Sequence, residues 1–213
     1  MGKPPPSRPP KQVPLSYQPA ALRGLVAPTL VRALLTLAFA ACTIFVTDPS
    51  LGFSIWLLGL WMAAVGACVL WGDLRSRDQE SLDLGGLATV PRSTGIMWVL
   101  GGIAVVMIPS TAEMLALVAS VVLFLVGLPE GWLGTSRRGL HPLAKDWQIV
   151  GLVTAAAAIG VLLVAGLGPH AILGVVGGAA IISGVLLLLA GLTLRHESRS
   201  GGVPADPDPR GAE

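Results

Sequence analysis

RALLTLAFAACTIFVTDPSLGFSIWLLGLWMAAVGACVLWGDLRSR, residues 32–77, holds two long apolar runs around one short polar break, Thr47-Asp48-Pro49-Ser50, and ends on a basic cluster. Apolar runs close to the ~20 residues a helix needs to cross a bilayer read as membrane spans, and the break reads as a tight turn. The pattern recurs. Pro49, Pro109 and Pro169 stand sixty residues apart, each between two apolar runs. A fixed period of this kind marks a repeated architecture. Arg32 and Arg92 each precede their proline by seventeen residues, and Leu152 takes that place in the third copy, so the repeat is degenerate.

Composition agrees with that reading. The 213 residues are 53% hydrophobic and only 12% charged, with a mean hydropathy of +0.75. Soluble domains carry about 25% charged residues, which excludes an ordinary water-soluble fold. The expected class is all-α and polytopic, with six transmembrane helices arranged as three repeated helical hairpins. The spans fall near 29–46, 51–71, 95–108, 112–129, 148–167 and 171–192. Three regions follow: a disordered proline-rich arm over 1–28, a transmembrane domain over 29–194, and a disordered tail over 195–213. The third span is short, and is expected to extend back through Arg92–Thr94 with the arginine reaching toward the headgroups. Pro28 suits the first turn of the first helix.

Residues 1–20 have no apolar core of a signal peptide and no myristoylation motif, since position 6 is proline. A net charge of +2 gives no reason to expect nucleic acid; the partner implied is the lipid bilayer. Cys42 and Cys68 both fall inside apolar runs at different depths, and read as small buried packing residues rather than a disulfide or metal pair.

The breaks alternate in character. Thr47–Ser50, Pro109–Thr111 and Gly168–His170 contain no Lys or Arg, whereas 72–94, 130–147 and the two tails hold all of them except Arg32. By the positive-inside rule both termini are cytoplasmic and three tight turns face outward. Trp71, Trp98, Trp132 and Trp147 are expected at the cytoplasmic boundary as an aromatic belt.

Small residues recur every seven positions in the even spans: Gly52, Gly59 and Gly66; Ser120 and Gly127; Gly177, Gly184 and Gly191. A step of seven returns nearly to the same helix face, so each stripe offers a smooth seam for close helix packing in lipid. Gly174 and Gly178 add a GxxxG step.

Ionisable groups inside the membrane are the usual pointer to function. Arg32 reads as an arginine snorkelling to the cytoplasmic headgroups, with a functional ion pair as the alternative. Glu130, after Pro129, reads as the cytoplasmic end of the fourth span. Asp48, Glu113 and His170 place one titratable group in each outer turn; if clustered, they would change the charge of the outer face in mild acid. His141 and His196 have no partner at metal-ligand spacing. No phosphate loop, zinc motif or nucleophile elbow is present, so no catalytic, metal or cofactor residues are expected and the chain reads as non-enzymatic.

The stretches Arg32–Arg77 and Ile172–Arg195 (ILGVVGGAAIISGVLLLLAGLTLR) carry the apolar helix, outer proline and glycine-rich helix ending in arginine. In this the chain resembles the HdeD-like family of small bacterial membrane proteins, whose founding member is associated with acid resistance. The resemblance implies a multi-pass inner-membrane protein of structural or stress-related role. A small transporter is the runner-up, since six spans with internal repeats is also a transporter plan. An accessory subunit of a membrane complex is the third reading, and a homo-oligomer is compatible with all of them.

Overall fold

The computed structural model describes residues 19–77 and 87–200. It contains six helices: α1 (Pro19–Phe45), α2 (Leu51–Ser76), α3 (Thr89–Met107), α4 (Ala112–Ser136), α5 (Ala144–Leu163) and α6 (Pro169–Ser200). No strand occurs among the described residues. All six are long and apolar enough to cross a membrane. Residues 1–18 and 201–213, and the middle of the 72–94 connection, lie outside the described residues.

The three proline-bearing breaks turn the chain by two local devices. Ser50 and Thr111 cap α2 and α4, their hydroxyls accepting hydrogen bonds from the backbone N–H of Phe53 (3.2 Å) and Met114 (3.3 Å). Such caps satisfy donors that the first helical turn leaves free. The third break has no Ser or Thr in that place. There Gly168 adopts φ +88°, open to glycine, and Pro169 starts α6, where a missing N–H costs nothing.

Several helices run past the expected boundaries. α1 begins at Pro19 rather than near 29, which puts Pro28 inside the helix and not in its first turn. α4 continues through Pro129 to Ser136, so Glu130 does not end the helix. In a transmembrane helix the backbone groups freed by a proline find other partners, and the proline need not stop the helix. α3 starts at Thr89 and includes Arg92.

Each helix packs on its neighbours in the chain, and α6 packs on α1 to close a ring. The most intimate pairs are α2 with α3, α4 with α5, and α6 with α1. They fall between the expected hairpins, not within them. Small residues decide this. A methyl on Gly66 would stand 2.7 Å from the Gly95 carbonyl oxygen, and one on Gly127 would stand 2.7 Å from the Ala155 nitrogen. Along α6, Gly177, Gly184 and Gly191 meet Thr43, Leu37 and Leu30 of α1 in turn, an antiparallel register. Gly59 lies against Gly102. Gly52, Gly174 and Gly178 have nothing within 4 Å of an added methyl. Ser120 is buried on α4.

The turn-end half of the ring is filled by an apolar core that includes Leu58, Met62, Leu115, Val161, Ile172 and Leu173. Phe39 stacks on Trp61 at 4.3 Å, and Trp61 meets Trp98 edge-on at 5.6 Å. Trp98 is therefore buried in the core and does not belong to an interfacial belt. Cys68 is buried, but Cys42 is exposed. With Val31, Leu35 and Ala38 it shares the outer face of α1, where small or apolar side chains meet lipid at no cost.

Candidate functional site

α1 and α4 lie on opposite sides of the ring, and one ion pair joins them. Arg32 donates from Nη1 to Glu130 Oε1 at 2.7 Å and from Nη2 to Glu130 Oε2 at 3.1 Å. Both side chains are almost fully buried, 9% and 6% exposed. Arg32 thus does not snorkel: it lies on the inward face of α1, flanked one turn away by buried Thr29 and Thr36. A guanidinium turned into a bundle needs a carboxylate, because several kcal/mol of lost hydration per ion must be offset by paired, well-aligned hydrogen bonds. The fork-on-carboxylate geometry provides them.

On the basic side of this pair lies a cavity of about 80 Å³ to which all six helices contribute. Arg32, Glu130, Thr29, Cys68, Asp73, Ser76, Thr94 and His141 are among its polar lining residues, and Leu25, Val69, Leu133, Trp147 and Leu187 form much of its apolar wall. On the other side is a pocket of about 20 Å³ lined by Thr36, Trp61, Trp98, Thr154 and Ser183 among others. Arg32 lines both. The pair is a bar across the middle of the bundle, with a largely apolar vestibule below it and a narrow, largely apolar pocket above.

Asp73 anchors the rim. Its Oδ2 accepts from Arg77 Nε at 3.1 Å and lies 3.7 Å from Arg92 Nε. His141, in the connection after α4, is buried and stacks on Trp147 at 4.3 Å; its Nδ1 accepts from the Leu143 N–H at 3.2 Å. Burial, with the Arg137 charge nearby, pushes His141 down to about 4, so the ring is neutral at neutral pH. Several donors near the bar have no partner: Arg32 Nε, Thr94 Oγ1, Trp61 Nε1 and Trp98 Nε1.

Asp48, Glu113 and His170 all sit exposed at the turn end, and no hydrogen bond or ion pair links one to another among the described residues. No group of three or more His, Cys, Asp or Glu is placed to hold a metal among those residues.

Sequence reasoning located Arg32 and Glu130 but assigned both to the membrane boundary. The available signal was complementarity: one cation and one anion, each next to an apolar run, with no other partner in their own helices. Asp73 and His141 gave less warning, because each looks like an ordinary residue of a polar connection.

Residues 31–89 match a family model described as a short repeat of unknown function (DUF308). The matched segment covers most of α1 and all of α2, and its length is close to the sixty-residue spacing of the three prolines. No curated protein and no solved structure matches the chain.

Proposed function

We propose that this is a non-enzymatic, HdeD-like protein of the bacterial inner membrane that serves under acid stress by holding a small solute in its cytoplasm-facing vestibule. The DUF308 match supports the family reading, since that repeat is the family of HdeD-like membrane proteins. The basic residues gathered at the vestibule end support a cytoplasmic orientation for both termini. The observation that carries the proposal is the buried Arg32–Glu130 bar with a cavity beneath it, because buried ionisable groups within membrane spans mark solute or ion sites by default.

A second reading, a purely structural component, draws on the apolar core that fills the turn-end half of the ring. Asp48, Glu113 and His170 are ionisable groups that the turn end exposes.

The test is a deletion strain challenged with acid at several growth densities. Survival should fall, and a plasmid copy should restore it. Survival equal to the parent at every density would overturn the stress role. Restoration by a copy in which Arg32 and Glu130 are both replaced with apolar residues would favour the structural reading. Full acid survival with Asp48→Asn, Glu113→Gln and His170→Gln combined would remove the outer-face groups from the mechanism.

A further inference from the structure

The vestibule has an apolar wall and a guanidinium at its floor. Arg32 Nε and Thr94 Oγ1 have no partner, although their residues are 7% and 3% exposed. A buried polar atom left without a partner is costly, and an entering ligand that pairs with it recovers that cost. Leu25, Val69, Leu133 and Trp147 would face whatever alkyl portion that acceptor carries. A cavity of about 80 Å³ admits roughly three waters at about 30 Å³ for each, which limits a ligand to a short chain. Chemistry and size together point to a short-chain monocarboxylate.

Charge sets how such a ligand enters. Glu130 already neutralises Arg32, and a second carboxylate on the same guanidinium would leave a net negative charge in a medium of low dielectric. We infer that the vestibule binds a short-chain monocarboxylate together with one proton: Glu130 takes the proton and releases Arg32, and the ligand carboxylate replaces Glu130 on the guanidinium. One ionic hydrogen-bonded pair is exchanged for another and the net charge of the site is unchanged. This rests on the solute-binding reading above. The other charged and titratable groups around Glu130 are Cys68 and Asp73 on α2, with Arg77 and Arg92 on Asp73. His141 and Arg137 lie in the connection after α4, and Lys145 and Asp146 open α5. Asp73 is held by its two arginines and His141 is neutral, which leaves Glu130 as the group whose only charged partner the ligand would take.

Isothermal titration of the whole protein in nanodiscs with sodium butyrate, at pH 6 and pH 7 in two buffers of different ionisation enthalpy, tests this. Wild type should bind butyrate roughly tenfold more tightly at pH 6, taking up one proton per butyrate. Butylammonium should not bind. Glu130→Gln, which keeps an acceptor beside Arg32, should bind butyrate with no proton uptake and no difference between the two pH values. Absence of butyrate binding in both proteins, binding of butylammonium, or proton uptake that persists in Glu130→Gln would each overturn the inference. A failed titration beside an intact acid phenotype removes only the ligand; loss of both removes the solute-binding reading as well.

Discussion

Arg32 and Glu130 lie ninety-eight positions apart on helices that are not neighbours in the ring, yet their side chains meet in two hydrogen bonds of 2.7 and 3.1 Å. The seams that hold the ring run between neighbours through small residues. This ion pair crosses it. Removal of one partner strands a buried charge, at a cost of about 3–5 kcal/mol. Glu130→Ala should therefore lower the unfolding midpoint in mild detergent by far more than a truncation on the lipid face such as Leu100→Ala. Arg32→Lys, which keeps the charge but loses the fork, should fall between them. Equal midpoints for Glu130→Ala and Leu100→Ala would show the pair to be energetically idle.

The glycine seams predict a graded response along the even helices. An added methyl at Gly66 or Gly127 meets backbone atoms that cannot swing aside. Gly66→Ala and Gly127→Ala should each cost about 1–3 kcal/mol by overpacking. Gly52→Ala and Gly174→Ala meet nothing within 4 Å, and should be neutral or up to about 1 kcal/mol stabilising from helix propensity. Thermal unfolding of the four variants checks the order.

His141 gives the molecule an acid-sensitive element outside its spans. Its folded value of about 4 lies below the ordinary 6.5, so between these values the unfolded chain binds the proton more readily than the folded one. The contribution is complete above pH 6.5 and is lost as pH falls toward 4. The loss amounts to about 3 kcal/mol. Unfolding midpoints followed from pH 7 to pH 4 should fall more steeply in wild type than in His141→Asn, which keeps an acceptor for the Leu143 N–H. Parallel curves would rule the imidazole out.

Orientation is open to a direct labelling test. With Cys42 and Cys68 replaced by alanine, a cysteine at Ser50, Ser110 or His170 should react with an impermeant maleimide applied to intact spheroplasts. Reaction only after the membrane is breached would place the turn end in the cytoplasm and reverse the assignment.

The membrane class, the number of spans and the positions of the turns were legible in the chain because they depend on composition and period, which a single sequence displays. Helix pairing was not. Gly59 and Gly66 mark a seam on α2, but nothing local to them says whether α1 or α3 fills it, and the structure places Gly102 and Gly95 of α3 there. Helix ends were misread at Pro28 and Pro129, since a proline that stops a helix in water need not do so in a packed membrane bundle. The site was half visible. Arg32 and Glu130 stood out as charges beside apolar runs, but their pairing is a tertiary fact linking opposite sides of a ring. The exposed Cys42 and buried Trp98 follow from the same limit: the period shows that a helix has faces and leaves open which face turns inward.

The claim on which the rest depends is that Arg32 and Glu130 act as one buried unit across the bundle. A double-mutant cycle over wild type, Arg32→Met, Glu130→Leu and the double variant, read by unfolding free energy in lipid nanodiscs, measures it directly. A coupling above about 2 kcal/mol, with the double variant near wild type, is the predicted result. Additive losses, with a coupling below about 0.5 kcal/mol, would contradict it.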